Sequence, residues 1–454
     1  MLSDVVSVST RVQNAPVIAD DLSKVLILGT HTRFVERFRE YSDLAGMVSD
    51  GFQTTDLEYL EAQALLSQST LAGASVDTFL IGRRLAAGAQ VITGTATHDA
   101  GQTVDVTLSY PGQTSITLSG IATGADAPAM ALAIVTAIQG DAGAAAVVTA
   151  ADNADGTFTV TSDTAGLGFT VAATGTGAAA VTFAPTTPNV GIQEDLQAIV
   201  DAGGSWYFTL LTDRDTRDIV EAATWHESAS TPHLLLAQSS EAAMYSAPFD
   251  GVNAPFADVA SELKALNRTR TAVFPHKDPG IEYAASMAGR NTVIPAGETT
   301  WALKQLSGVT ADNITSNEKA NLESRSANPF IQLTSTISVS QGGAVASGQF
   351  IDVIHTVDFL VAQVQVALVN AMLTNDKVPF DDLGIGQLEA VMLGKLAEFQ
   401  GPNLAIDPSV EIKTSAPEAL DVPVQDRATR TLNNLSASFR LSGAIHSANV
   451  ELEF

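Results

Sequence analysis

The chain has 454 residues, 45% of them hydrophobic, which is enough apolar material for sizeable cores and too much for a disordered protein; the length suggests roughly two to four domains. Fifty Asp and Glu against 23 Lys and Arg leave a net charge of −27, and nucleic acid is bound by basic side chains that release counterions, so no nucleic-acid partner is expected. Cysteine is absent, which excludes disulfides, thiol nucleophiles and Cys metal sites.

The opening Met-Leu-Ser-Asp-Val-Val lacks the basic start and apolar block of a secretory signal, so synthesis in the cytoplasm without Sec export is expected. Val6, Val8, Thr10 and Val12 alternate with Ser7, Ser9 and Arg11, the pattern of a half-buried strand, and residues 1–20 read as an N-terminal strand arm. An α/β domain over 21–87 and 189–291 follows, split by an insert. Its first part predicts a strand at Lys24 to Leu28, a helix at Asp56 to Ser67 and a strand at Thr78 to Ile81.

Between Arg84 and Arg214 no Lys or Arg occurs. Within that gap, residues 88–188 turn to Thr, Ala, Gly and Val, and their seven Asp come with no Glu. Strand patterns run at Thr103 to Leu108, Ser115 to Leu118 and Thr157 to Thr161, bounded by turns such as Pro111-Gly112 and Asp155-Gly156, with one helix at Ala127 to Gln139. This predicts an acidic, β-rich inserted domain.

Beyond it come helices at Ile192 to Asp201, Thr216 to Ser228, Ala257 to Leu266 and Ile281 to Gly289. They alternate with strands at Trp206 to Thr212, His233 to Gln238 and Thr271 to Phe274, the order of an α/β layer with a mostly parallel sheet. Val25 to Leu28 and Leu234 to Leu236 are continuous apolar runs, which suits burial on both faces. Residues 292–440 predict an α+β domain with helices at Glu318 to Ser324, Phe350 to Thr374 and Gly386 to Glu398, the last after a turn at Val378-Pro379-Phe380. The apolar stretch Phe359 to Leu373 is interrupted by Gln363, Gln365 and Asn370, so no stable membrane insertion is expected. Residues 441–454 form a C-terminal strand arm, with Ala448, Val450, Leu452 and Phe454 on one face. Two amphipathic ends imply docking into some sheet, either the chain's own or that of a neighbouring copy.

Motifs for chemistry are sparse. There is no G-x-G-x-x-G after a strand, no G-x-x-x-x-G-K-[ST] and no G-x-S-x-G. The run Asn153 to Gly156 has Ala151 and Ser162 where a calcium loop needs its first and last ligands, so a hairpin turn is the reading. Asp352, His355 and Asp358 share one helix side, a spacing geometrically open to a metal but read here as an acidic first turn favoured by the helix dipole. His226 and His233 lack a third partner, and Trp206, Trp225 and Trp301 read as core. The expectation is no enzyme: no catalytic residue, no cofactor and no metal.

Several separated segments resemble, in order, a family of phage proteins long labelled a domain of unknown function, some of whose members are contractile-tail sheath proteins of myovirus bacteriophages. They are Thr300 to Thr310, Gly348 to His355 with Asp358, Asp376 to Phe380 with Gly384-Ile385, Asp426 to Arg430 and Leu441 to His446. The resemblance covers residues 1–87 and 189–454 and leaves the insert out. It implies a structural subunit that forms a helical homopolymer of stacked hexameric rings, with the tail tube, baseplate and tail terminator proteins as partners. That subunit is assembled in the host cytoplasm, resides in the virion and contracts during genome ejection. It also implies that the strands at Val6 to Val12 and Ala448 to Phe454 exchange between copies. The insert is then expected to face outward. The competing reading is an adhesin-like structural protein whose β insert binds glycans, and a third is a hydrolase on the Asp352–His355–Asp358 cluster.

Overall fold

The computed structural model of the protein describes residues 22–85, 89–109, 114–164, 169–187, 191–251 and 256–446. The first elements are β1 (Val25–Thr30), β2 (Phe38–Tyr41), α1 (Leu44–Ser49), α2 (Leu57–Leu66) and β3 (Phe79–Arg84). Next come β4 (Val91–Thr97), β5 (Thr103–Ser109), β6 (Ile116–Ala122), α3 (Ala127–Gly140), β7 (Val148–Asp152), β8 (Thr157–Ser162), β9 (Thr170–Gly175) and β10 (Ala180–Thr187). They are followed by α4 (Ile192–Asp201), β11 (Phe208–Leu211), α5 (Thr216–Ser228), β12 (Leu234–Ser239), α6 (Val259–Ala265), β13 (Thr271–Pro275) and α7 (Tyr283–Asn291). The last are α8 (Ser316–Ser324), β14 (Phe330–Thr334), β15 (Ile337–Ser340), α9 (Ile351–Leu373), α10 (Asp382–Ala397), β16 (Lys413–Ser415), α11 (Val424–Ala428) and β17 (Ser436–Ser438).

The central sheet has the order β13-β12-β11-β1-β3-β2. The five strands from β13 to β3 are parallel, and β2 closes the edge antiparallel to β3. Val25 and Ile27 face one core with Phe79, Tyr283 and Trp301, while Leu26 and Leu28 face a second with Ile199, Trp206 and Ile219. That two-sided burial is why β1 and β12 are continuous apolar runs. Fully burying each such side chain is worth roughly 1.5–3 kcal/mol. Helices α2 and α7 touch so closely on the first face that a Cβ on Gly289 would lie 2.1 Å from the Leu65 carbonyl oxygen. Strand β2 and helix α1 carry no sequence pattern of their own. Phe-Arg-Glu-Tyr is short and half charged, and it is held by pairing with β3 and by the Lys24–Glu40 ion pair at 3.0 Å.

Residues 91–187 build two antiparallel sheets, β10-β4-β8-β7 and β6-β5-β9. Their inner faces and α3 share one core, with Ile92, Val104, Ile134, Phe158 and Val160 at its centre. The turn after β7 is a hairpin: Gly156 takes φ +89, and Asp155 Oδ1 accepts a bond from the Thr157 amide at 2.8 Å. Pro111-Gly112 lies outside the described residues.

Helix α9 ties the sheet to the C-terminal part. Ile351 and Ile354 enter the core of the first sheet face, whereas Leu360, Val364 and Leu368 pack with Leu388, Met392 and Leu396 of α10. By length and composition α9 could cross a membrane, yet here both of its halves are core elements. Helix α10 starts at Asp382, four residues before the Gly386 read from sequence, because Asp381 caps it by accepting from the Gly384 amide at 2.9 Å. Gly384 and Gly386 hide that first turn from propensity.

Candidate functional site

The strand residues Val6, Val8, Thr10, Val12, Ala448, Val450, Leu452 and Phe454 lie outside the described residues. The structure does show where the chain reaches them. At one end, the Leu22 carbonyl accepts a bond from His355 Nε2 at 3.0 Å. At the other, His446 Nε2 bonds the Thr300 hydroxyl at 2.8 Å, and its ring meets Phe350 edge-on at 5.2 Å. Phe350 caps α9 and His355 sits in its second turn, so both ends of the described chain are fastened near the start of one helix. Leu22 also borders a 680 Å³ cavity between α9 and the loops at residues 73–78 and 292–296.

The ribbon β16–β17 is the exposed counterpart. Its two strands pair antiparallel, and no further strand flanks either one among the described residues. Ile412, Ala437 and Phe439 pack inward toward α9 and α10, while Lys413, Ser415, Ser436 and Ser438 face solvent. A two-stranded ribbon is marginal alone, and its outer edges hold backbone groups ready for another strand.

The Asp352–His355–Asp358 spacing does not become a metal centre. Asp358 is buried and takes bonds from Tyr207 Oη at 2.6 Å and from the Arg270 guanidinium, whose second nitrogen lies at 3.1 Å. The His355 ring is turned to Leu22, and burial holds it neutral with its pKa down at about 4. One oxygen of Asp352 is buried without a hydrogen-bond partner, and burial raises its pKa. Among the described residues no group of three His, Cys, Asp or Glu side chains is placed to hold a metal ion.

His226 and His233 are packing residues. Trp206 Nε1 donates to the Thr209 hydroxyl at 2.9 Å, that hydroxyl bonds His226 Nε2 at 2.8 Å, and His226 Nδ1 reaches the Ala222 carbonyl at 2.7 Å. His233 stacks on Trp206 at 4.5 Å, and Trp206 stacks on Trp225. Burial lowers the two histidine pKa values to about 4 and about 3.

Ligands of α/β sheets usually sit beyond the carboxyl ends of the strands. Here that end is filled by the chain's own ion pairs. Arg84 binds Asp213 at 2.6 Å and Asp218 at 2.8 Å, and Arg214 binds Glu61 at 2.8 Å and also Glu282. Asp195 accepts from Arg37 at 2.8 Å and from the Leu85 amide at 3.3 Å, linking the residue just before the insert to the helix just after it. These partners are up to 158 residues apart in sequence, so no local motif announces them.

The sequence matches no protein-family model and no curated protein. The fold does have counterparts among solved structures. The sheath of an extracellular contractile injection system, the PVC sheath complex in its contracted state, aligns over 99% of this chain and 96% of its own, with a TM-score of 0.54 at 9% identity. In fold, the chain resembles this contractile sheath subunit. The helical sheath of the anti-feeding prophage, also contracted, aligns over 99% and 98% of the two chains at 10% identity, with a TM-score of 0.49. At such identities the agreement lies in the path of the chain, so the sheath fold places no individual contact residue.

Proposed function

We propose that this chain is the structural subunit of a phage-type contractile tail sheath. The observation that carries the reading is the end-to-end fold agreement with the PVC sheath chain. In this role copies polymerise as stacked hexameric rings around a tail tube, bounded by baseplate and terminator proteins. They contract to drive the tube through a host envelope. The particle is a virion tail assembled in the host cytoplasm. No catalytic residue takes part.

The terminal strands, Val6 to Val12 and Ala448 to Phe454, join neighbouring copies by adding to exposed edges, where backbone bonds give affinity and alternate side chains set register. Two features support this. Leu22 and His446, the outermost described residues, are both bonded near the start of α9, and among the described residues no further strand flanks the β16–β17 ribbon. Contraction is then a fall from a metastable packing to a lower-energy one, with rigid bodies rotating while the strand links hold. Heterologous contacts of this type close into rings and extend into helices.

Negative-stain microscopy of the purified chain tests the proposal: rings or long tubes are expected. Removing Val450 to Phe454 should abolish them and leave folded monomer. A chain that stays monomeric at all concentrations overturns the sheath reading, and tubes that survive the deletion overturn the strand linkage.

A further inference from the structure

The insert carries two outward sheet faces unlike the rest of this acidic chain. On the four-stranded sheet, Ile92, Ala96, Phe158 and Val160 point into the core. The alternate positions Thr93, Thr95, Thr97, Thr157, Thr159 and Thr161 therefore point out. The register aligns them in rows across the strands: Ala184, Thr93, Thr159 and Ala151 form one, and Thr182, Thr95 and Thr157 another. These rows hold no charged side chain. On the three-stranded sheet, Val104, Val106 and Leu108 point inward, and Thr107 pairs outward with Ala172 on one side and Thr117 on the other. Its single carboxylate, Asp105, is engaged by the Gly120 amide at 2.6 Å. The Thr107 and Thr117 hydroxyls bond each other within the face at 3.1 Å.

Both sheets enclose one core, so their outer faces turn away from it. In a polymer of copies that each carry −27, surfaces approach closely only where ions do not oppose each other, because the screening length is about 8 Å at physiological salt. Sheets pack face to face at about 10 Å, and an uncharged face set against one whose single carboxylate has no like charge opposite meets that requirement. A like-to-like contact has a two-fold axis and closes as a dimer. Two different faces on one module permit a head-to-tail contact that continues through a ring or helix.

We infer that these faces are a self-stacking surface: the four-stranded face of one copy's insert packs on the three-stranded face of a neighbouring copy's insert. The inference rests on the sheath reading and adds to it a contact outside the terminal arms. Four strands about 4.8 Å apart, with outward positions about 6.8 Å apart along each, give a face of roughly 400 Å². The three-stranded partner face offers roughly 300 Å² by the same spacings, so the contact buries roughly 600 Å², below the roughly 1,200 Å² that a free specific complex needs. The stack therefore forms only where the lattice already holds the inserts side by side, as a repeated weak contact.

The absence of cysteine makes the test direct. Full chains carrying Thr95→Cys are mixed with full chains carrying Ala172→Cys, assembled, and treated with a short bismaleimide. Both positions are exposed, and Thr159→Cys with Thr107→Cys serves as a second pair. The expected result is a mixed cross-linked dimer in particles seen by microscopy and its absence from dispersed subunits. Particles without the mixed product for either pair overturn the inference, as does a product formed only between identical variants. Equal yield from dispersed subunits overturns the dependence on the lattice. If the unsubstituted chain forms no particle, the sheath reading itself fails, which microscopy shows before any thiol chemistry.

Discussion

Asp358 is the residue whose loss tests the architecture most directly. Its carboxylate is 4% exposed and joins α9 to the sheet through Arg270 on the approach to β13 and Tyr207 beside β11. Asp358→Ala leaves the Arg270 cation buried and the Tyr207 hydroxyl without this acceptor. Removing one partner of a buried pair typically costs about 3–5 kcal/mol, more than the pair itself is worth against apolar replacements. With a urea dependence of about 3 kcal/mol per molar, the upper end for small proteins, the midpoint should fall by about 1–1.7 M. Tryptophan fluorescence follows it cleanly, because Trp206, Trp225 and Trp301 are all buried in the body and none lies in the insert. The double variant Asp358→Leu with Arg270→Met should recover most of the loss, since the buried cation is then removed together with its carboxylate. A midpoint within about 0.3 M of the parent for Asp358→Ala, or a double variant as unstable as the sum of the singles, refutes the reasoning.

Other outcomes follow from the same structure. Burial raises the Glu58 pKa to about 7, above its unfolded value near 4.5, so the stability it contributes is full below pH 4.5 and is lost as pH rises through 7. Glu58→Gln should therefore match the parent near pH 5 and exceed it by about 2–3 kcal/mol at pH 9 in urea titrations, and a pH-independent difference would count against it. His226, His233 and His355 have folded pKa values lowered to about 4, 3 and 4, so their contribution is full above the unfolded value near 6.5 and is lost as pH falls toward 4. His226→Gln should flatten the acid side of the stability profile between those limits, and an unchanged slope there would refute this account. Gly289→Ala should force α2 and α7 apart and lower stability by about 1–3 kcal/mol, read as a drop in thermal midpoint. Asp126→Ala removes the carboxylate that accepts from the Ala129 amide at 2.9 Å at the start of α3, costing about 1 kcal/mol, measured by hydrogen exchange within residues 127–140.

Much of the secondary structure was legible because its causes are local. Thr216–Ser228 and Ile192–Asp201 match the predicted spans residue for residue, since the apolar spacing lies between clear end signals: Asp215 caps the first, and Glu194 bonds back to the Gly191 amide in the second. The continuous apolar strands announced a sheet buried on both faces, and its parallel pairing agrees with the alternation of strands and helices. Elements whose stability comes from partners were missed. The ribbon β16–β17 is two short polar segments that become strands only because α9 and α10 cover one side.

By itself the sequence determined the local periods, the threonine-rich composition of the insert without Lys or Arg, and the absence of thiols and phosphate loops, all properties of neighbouring residues or of composition. Only the tertiary structure decided that Asp358 belongs to Arg270 rather than to a metal, because an ion pair spanning 88 residues depends on how strands are ordered in the sheet. It likewise brought Leu22 and His446 to one end of α9, a proximity set by packing of distant segments and invisible to any window along the chain.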